Sequence, residues 1–188
     1  MEKNLSTMKN FFKGKKANFW AHTKVHKSSV LARRELEMGA KGVCCQKVSE
    51  AQVMAEDGIN CITVTNPIVT TQKIDRLVAL SRLVDIRAIV DFASNAESIS
   101  NAAVAHGTKL KVLVEAQLGA NRCGVEPGDP ALSLARIVES LWCFGLMGRG
   151  SRGIRLADAH SSKFAGRRLK YKVPRTRLAG YIQNSGAF

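Results

Sequence analysis

Residues 61–91 contain three pieces that decide the fold: Cys61-Ile62-Thr63-Val64-Thr65, then Thr70-Thr71-Gln72-Lys73-Ile74-Asp75-Arg76-Leu77-Val78-Ala79-Leu80-Ser81-Arg82-Leu83, then Ile86-Arg87-Ala88-Ile89-Val90-Asp91. The outer pieces are short, apolar and rich in Val and Ile, which suits buried parallel strands. The middle piece puts Ile74, Leu77, Val78 and Leu80 on one face of a helix of 3.6-residue period. Strand, helix and strand at ~20-residue spacing make a βα unit with a right-handed crossover.

The same unit recurs on both sides. Further apolar runs predict strands at Asn18 to Lys24, Gly42 to Gln46, Lys109 to Glu115 and Trp142 to Met147. Between them the pattern predicts helices. Ser29 to Met38 is stopped by Gly39, and Ser49 to Ala55 closes near Gly58. Asn95 to Ala105 opens on an asparagine cap and ends before Gly107, and Ala131 to Leu141 follows Pro130. A first helix, Glu2 to Lys16, places Leu5, Met8, Phe11 and Phe12 on one side. Five or six parallel strands of this kind imply an α/β fold, either a doubly wound sheet or part of a (β/α)8 TIM-type barrel. A complete barrel needs about 250 residues, and this chain has 188. The sequence contains no GxGxxG or GxxxxGK[ST] motif, which disfavours a nucleotide-binding doubly wound fold.

The chain has 29 Lys and Arg against 15 Asp and Glu, a formal charge of +14. Residues 148–188 hold ten of those cations and one acid, so +9 falls there and +5 on residues 1–147. Residues 1–147 are therefore predicted to be an ordinary, mildly basic domain, and 148–188 a basic, irregular tail. One function class this charge leaves open is a non-catalytic protein whose basic tail binds nucleic acid or an acidic partner. The apolar fraction, 45%, excludes disorder of the whole chain. No apolar run approaches the ~20 residues of a membrane span, and Met1-Glu2-Lys3-Asn4 lacks the apolar core of a secretory signal. The expected location is cytoplasmic. Cys44, Cys45, Cys61, Cys123 and Cys143 form no CxxC pair and mostly sit in apolar runs, as reduced buried thiols do.

Two groups carry candidate chemistry. Ala21-His22-Thr23-Lys24-Val25-His26-Lys27 falls where the first predicted strand ends, and active sites of barrels form at the C-terminal ends of strands. A lysine desolvated there can act as an amine nucleophile toward a carbonyl or pyridoxal phosphate; the plainer alternative is a solvated basic loop. His22 and His26 are four apart, but a strand followed by a turn does not hold the geometry a metal would need. Asn121-Arg122-Cys123-Gly124-Val125-Glu126-Pro127-Gly128 follows the strand ending near Glu115. An arginine in such a loop can reach an anion or a ring oxygen, or be merely exposed. Glu115 either orients a neighbour or pairs with a lysine.

Three blocks resemble one known family. Gly42-Val43-Cys44-Cys45-Gln46-Lys47-Val48-Ser49-Glu50-Ala51, His22-Thr23-Lys24-Val25-His26-Lys27-Ser28 and Arg122-Cys123-Gly124-Val125 are similar to blocks of the D-threonine aldolase / D-serine dehydratase family, which includes 3-hydroxy-D-aspartate aldolases. They stand in the family's order, and the resemblance covers residues 1–147. It implies a partial TIM-type barrel of alanine racemase type, with pyridoxal 5'-phosphate as cofactor and a small D-3-hydroxy amino acid as substrate. By position, Lys24 matches the lysine that bonds covalently to the cofactor, and Arg122 the arginine that contacts its ring. Gln46 is a further pocket candidate. The implied reactions are cleavage to glycine and an aldehyde, or elimination of the β-hydroxyl.

The departures are specific. Trp20-Ala21 stands where the family has Arg-Pro. Glu115-Ala116-Gln117 replaces Glu-Val-Asp, and Pro67 follows Asn66 where an acid is usual. After Met147 the family's Ala-Tyr-x-Gly gives way to Gly148-Arg149-Gly150-Ser151. The resemblance also implies a glycine-rich phosphate loop and a divalent metal held by C-terminal His and Cys ligands, neither of which is found in this sequence. The expectation is a truncated member of impaired activity. Its segment 148–188 arises from a frame change in the coding sequence or, less favoured, is an evolved basic arm.

Overall fold

The computed structural model describes residues 1–119 and 122–141, and the main chain of 144–146. The predicted basic tail, 148–188, lies outside the described residues. The elements alternate as α1 (Glu2–Phe12), β1 (Ala21–His22), α2 (Ser29–Glu37), β2 (Val43–Cys45), α3 (Val48–Glu56), β3 (Cys61–Val64), α4 (Thr71–Leu80), β4 (Asp85–Val90), α5 (Ala93–Ala105), β5 (Leu110–Val114), α6 (Asp129–Ser140) and β6 (Phe144–Leu146). The six strands pair in sequence order, all parallel. This is the expected α/β architecture, a parallel sheet with crossover helices that makes up part of a barrel.

Register explains which side chains go where. Val43, Ile62, Ile86 and Leu110 lie in line across the sheet, and Cys45, Val64 and Ala88 follow in the next such row. With Val90, Val112 and Val114 they pack against Ala51, Met54, Ile74, Leu77, Val78, Ile99 and Leu134 from the helices. Burying each large aliphatic here contributes roughly 1.5–3 kcal/mol. Alternate strand residues face the other way. There Cys44, Thr63, Arg87 and Lys111 share a row, and Arg87 is buried beneath the Trp20 ring, 4.3 Å from its centroid. Gly42 is required because a Cβ would lie 2.2 Å from the same ring.

Most predicted boundaries shift by a residue or two. The strand foreseen over Asn18 to Lys24 shrinks to Ala21–His22, because residues 23–26 turn. Asn95 is a correction. It is not a cap but a buried residue inside α5, whose Nδ2–H donates to the Ile68 carbonyl at 2.6 Å; Phe92 takes the cap position. The glycine stops hold, with Gly39, Gly58 and Gly107 at φ of 102°, 84° and 60°. Helix α1 buries no residue; its Glu2 carboxylate instead meets Arg34 at 2.8 Å.

Candidate functional site

Because every strand is parallel, their C-terminal ends share one edge, and the turns leaving them converge there. At β1 the chain continues as Thr23-Lys24-Val25-His26. Thr23 is fully buried and holds the turn against β2, its N–H and Oγ1–H both donating to the Cys44 carbonyl at 2.9 and 3.1 Å. The Lys24 N–H donates to His22 Nδ1 at 3.3 Å. That leaves the ring proton on Nε2, which lies 3.1 Å from Thr65 Oγ1. The Thr65 hydroxyl proton goes on to the Cys45 carbonyl at 3.2 Å. One oriented chain of hydrogen bonds thus ties the lysine's main chain across three strands. The Lys24 side chain is half-buried, and none of the ion pairs among the described residues includes it.

The turn beyond Lys24 is fixed separately. The Ser28 N–H donates to His26 Nδ1 at 3.0 Å, so His26 Nε2 carries its proton toward Glu35 Oε1, 3.5 Å away. Burial pushes the Glu35 carboxyl up, and His26 partly offsets that. Lys27 takes a left-handed φ of 51°, and its ammonium sits 3.5 Å from Glu50. Glu50 also accepts the N–H groups of Gln46 and Lys47, binding the β1 turn to the β2 turn. Gln46 then reaches sideways, Nε2–H to Asn66 Oδ1 at 3.4 Å.

At the other side of the edge, Asp91 follows β4 and Glu115 follows β5. They are register neighbours, one step past Val90 and Val114. The segment Arg122-Cys123-Gly124-Val125 folds back onto them. The Gly124 N–H donates to Asp91 Oδ2 at 3.1 Å and the Cys123 thiol to Glu115 Oε1 at 3.5 Å. A main-chain bridge, Val125 N–H to Glu115 O and Gln117 N–H to Val125 O, completes the attachment. Gly124 has a φ of 103°, and a Cβ there would lie 2.7 Å from the Gln117 nitrogen. Arg122 is exposed at the tip. Burial pushes the carboxyl of Glu115 up, with Asp91 adding to it. It also pushes up the thiols of Cys44, to about 12, and Cys45, to about 11.

Lys24, Gln46 and Arg122, proposed from sequence, thus all lie on turns leaving the same edge. Lys24 and Gln46 are linked through Glu50 and its neighbours, whereas no contact joins either to Arg122 among the described residues. Sequence reading missed Thr65, Asn66 and Asp91 as members of this edge. Each is the first or second polar residue after an apolar strand, a signal sufficient to nominate it. Among the described residues no ion pair joins Glu115 to a lysine; Cys123 donates to it, and Asp91 and Arg122 act on its charge from nearby. Among the described residues no three His, Cys, Asp or Glu side chains gather as a metal centre, and no helix is long and apolar enough to cross a membrane.

A parallel βα sheet with its polar turns at the C-terminal edge defines an α/β-barrel-type domain. More narrowly, the chain belongs to the alanine racemase N-terminal domain family, whose model matches residues 1–151. It is 34% identical over 172 residues to the 3-hydroxy-D-aspartate aldolase of Paracoccus denitrificans (strain Pd 1222), covering 90% of this chain and 44% of that protein. It is 38% identical over 120 residues to the D-threonine aldolase of Arthrobacter sp., covering 64% of this chain and 32% of that one. The first alignment runs past Met147. Among solved structures it is similar to D-threonine aldolase from Filomicrobium marinum, at 40% identity and a TM-score of 0.75 over 77% of this chain and 40% of that one. Alanine racemase of Clostridium difficile 630, at 16% identity and a TM-score of 0.69 over 97% of this chain and 46% of that one, shares the fold. The chain spans less than half the length of the curated relatives it matches.

Proposed function

We propose that this edge holds pyridoxal 5'-phosphate and serves lyase chemistry on small D-3-hydroxy amino acids, in the cytoplasm. The observation that supports it best is the placement of Lys24, a half-buried amine on the turn after β1, in a chain 34% to 40% identical to named aldolases. The residues present fit such a group. Lys24 offers a primary amine that no described carboxylate neutralises, Arg122 an exposed guanidinium suited to an anion or ring oxygen, and Gln46 an amide that donates and accepts. When bound, the cofactor supplies the electron sink for breaking a bond at the substrate's Cα.

The protein's own part is positioning. Lys24 holds the cofactor, and His22 with Thr65 fixes the main chain from which that lysine extends. The Glu50 contacts tie the β1 turn, through Lys27, to the β2 turn that carries Gln46. Arg122 closes the far side from its anchored loop. The described residues give the family's divalent metal no ligand set.

Titration of the purified protein with pyridoxal phosphate, beside Lys24→Ala, tests the reading. A saturable visible absorbance band, lost in the variant while thermal stability is kept, supports it. No band, or one indifferent to the substitution, overturns it. Product analysis then separates the two lyase types. Glycine plus an aldehyde from D-threonine or 3-hydroxy-D-aspartate marks an aldolase. A keto acid plus ammonia from D-serine marks a dehydratase.

A further inference from the structure

Asp91 and Glu115 are side by side in register at the ends of adjacent strands. Each spends one oxygen on the Arg122 loop, Oδ2 of Asp91 on the Gly124 N–H and Oε1 of Glu115 on the Cys123 thiol. Each has its other oxygen, Oδ1 and Oε2, fully buried with no hydrogen-bond partner. Glu115 as a whole is only 8% exposed. Two orphaned carboxylate oxygens on neighbouring strands are an expensive arrangement if both groups are ionised. Like charges repel, and neither orphan has a donor to replace water. One proton removes both difficulties, since a protonated oxygen donates where an ionised one cannot.

We propose that Glu115 keeps a proton beside Asp91, and that the pair in this state is the clamp that positions the Arg122 loop. Among the described residues, the other titratable and charged groups that act on the Glu115 carboxyl are Cys123 and Arg122, both from that loop. Cys123 keeps its proton because burial and the two acids disfavour a thiolate, so it donates to the clamp and adds no charge. Arg122, the cation that acts on Glu115, is exposed, where solvent weakens its hold. Burial favours the neutral form of Glu115, the Cys123 hydrogen bond only partly offsets it, and Asp91 adds to it, so the proton sits on Glu115. Raising the pH releases this proton to solvent, leaves two adjacent charges, and pushes apart the strand ends that hold Gly124 and Cys123. The loop then loosens. The bearing on cofactor affinity rests on the function proposed above; the Glu115 proton does not.

Two readouts test this without catalysis. The first is a ¹³C NMR titration of the Asp91 and Glu115 side-chain carboxyls in the full chain. Two separate steps are expected, the upper one above the range of lone carboxylates (about 4). Asp91→Asn is expected to bring the remaining step down. The second is the protection factor of the Gly124 amide against pH, corrected for its intrinsic exchange. Protection is expected to fall about tenfold across the upper step in the native protein. It is expected to stay level in Glu115→Gln, whose amide supplies the hydrogen permanently. Glu115→Ala is expected to be low throughout. If the two carboxyls titrate together in the ordinary range, or Glu115→Gln keeps the native pH profile, the clamp is overturned. The first test uses the unsubstituted chain, so it decides the matter even if a variant does not fold. With the proton found, pyridoxal phosphate affinity is expected to weaken about tenfold above the same step. A split titration with no cofactor band at any pH would uphold the clamp and overturn the functional reading.

Discussion

The two ends of the sheet use charge in opposite ways. At the N-terminal end, Asp85 is 2.8 Å from both Arg87 and Lys111, and Arg87 also donates to the Cys61 sulfur at 3.3 Å beneath Trp20. The acid there is met twice and the cations largely neutralised. At the C-terminal end, no close ion pair among the described residues includes Lys24 or Arg122, and Asp91 and Glu115 each leave an oxygen unmet. The first end is arranged for stability. The second keeps reactive and titratable groups uncompensated, which costs stability unless a ligand or proton satisfies them.

The sharpest way to break this comparison is to substitute at each end in turn. Asp85→Ala strips the partner from the buried Arg87 and is expected to cost about 2–4 kcal/mol, read as a lower urea midpoint at unchanged slope. If its cost is near zero, the N-terminal cluster is not structural. Gly124→Ala forces a Cβ against the Gln117 main chain from a left-handed backbone. The expected penalty is about 1–3 kcal/mol, with the larger effect on cofactor titration, about tenfold. Equal losses in stability and affinity would remove the distinction between the ends.

Smaller effects sharpen it. Cys44 and Cys45, pushed up to about 12 and about 11, are expected to resist alkylation at pH 8 in the native protein and to react only on unfolding, as peptide mass spectrometry would show. Glu115 binds its proton more tightly folded than unfolded. Between those two pKa values the native state carries more protons, so stability falls as pH rises through that window. Glu115→Gln is expected to flatten this slope in denaturation at a series of pH values. Least of all, Lys27→Gly relieves a left-handed φ but gives up the Glu50 contact, so the net change is expected within about 0.5 kcal/mol.

Much of the fold was legible because parallel strands are buried on both faces and announce themselves as apolar runs. Cys61–Val64 and Asp85–Val90 are of that kind, and Thr71–Leu80 shows its buried stripe plainly. The predicted β1 strand reaches too far back because Phe19 and Trp20 are apolar for another reason. Trp20 covers Arg87 and Gly42, a contact between residues far apart in sequence. Asn95 was misread because a cap and a buried amide use the same side-chain chemistry. Only the packing of α5 against the Ile68 carbonyl distinguishes them.

The sequence by itself determined the alternation of strand and helix, the glycine stops and the three blocks that contain Lys24, Gln46 and Arg122, since each is written within a few consecutive residues. Tertiary structure alone decided that Asp91 and Glu115 are neighbours and that the Gly124 amide lands on Asp91, 33 residues away. It also decided that His22 bridges to Thr65. Strand register sets all of these, and register is a collective outcome of core packing across the whole sheet. No local stretch of sequence encodes it.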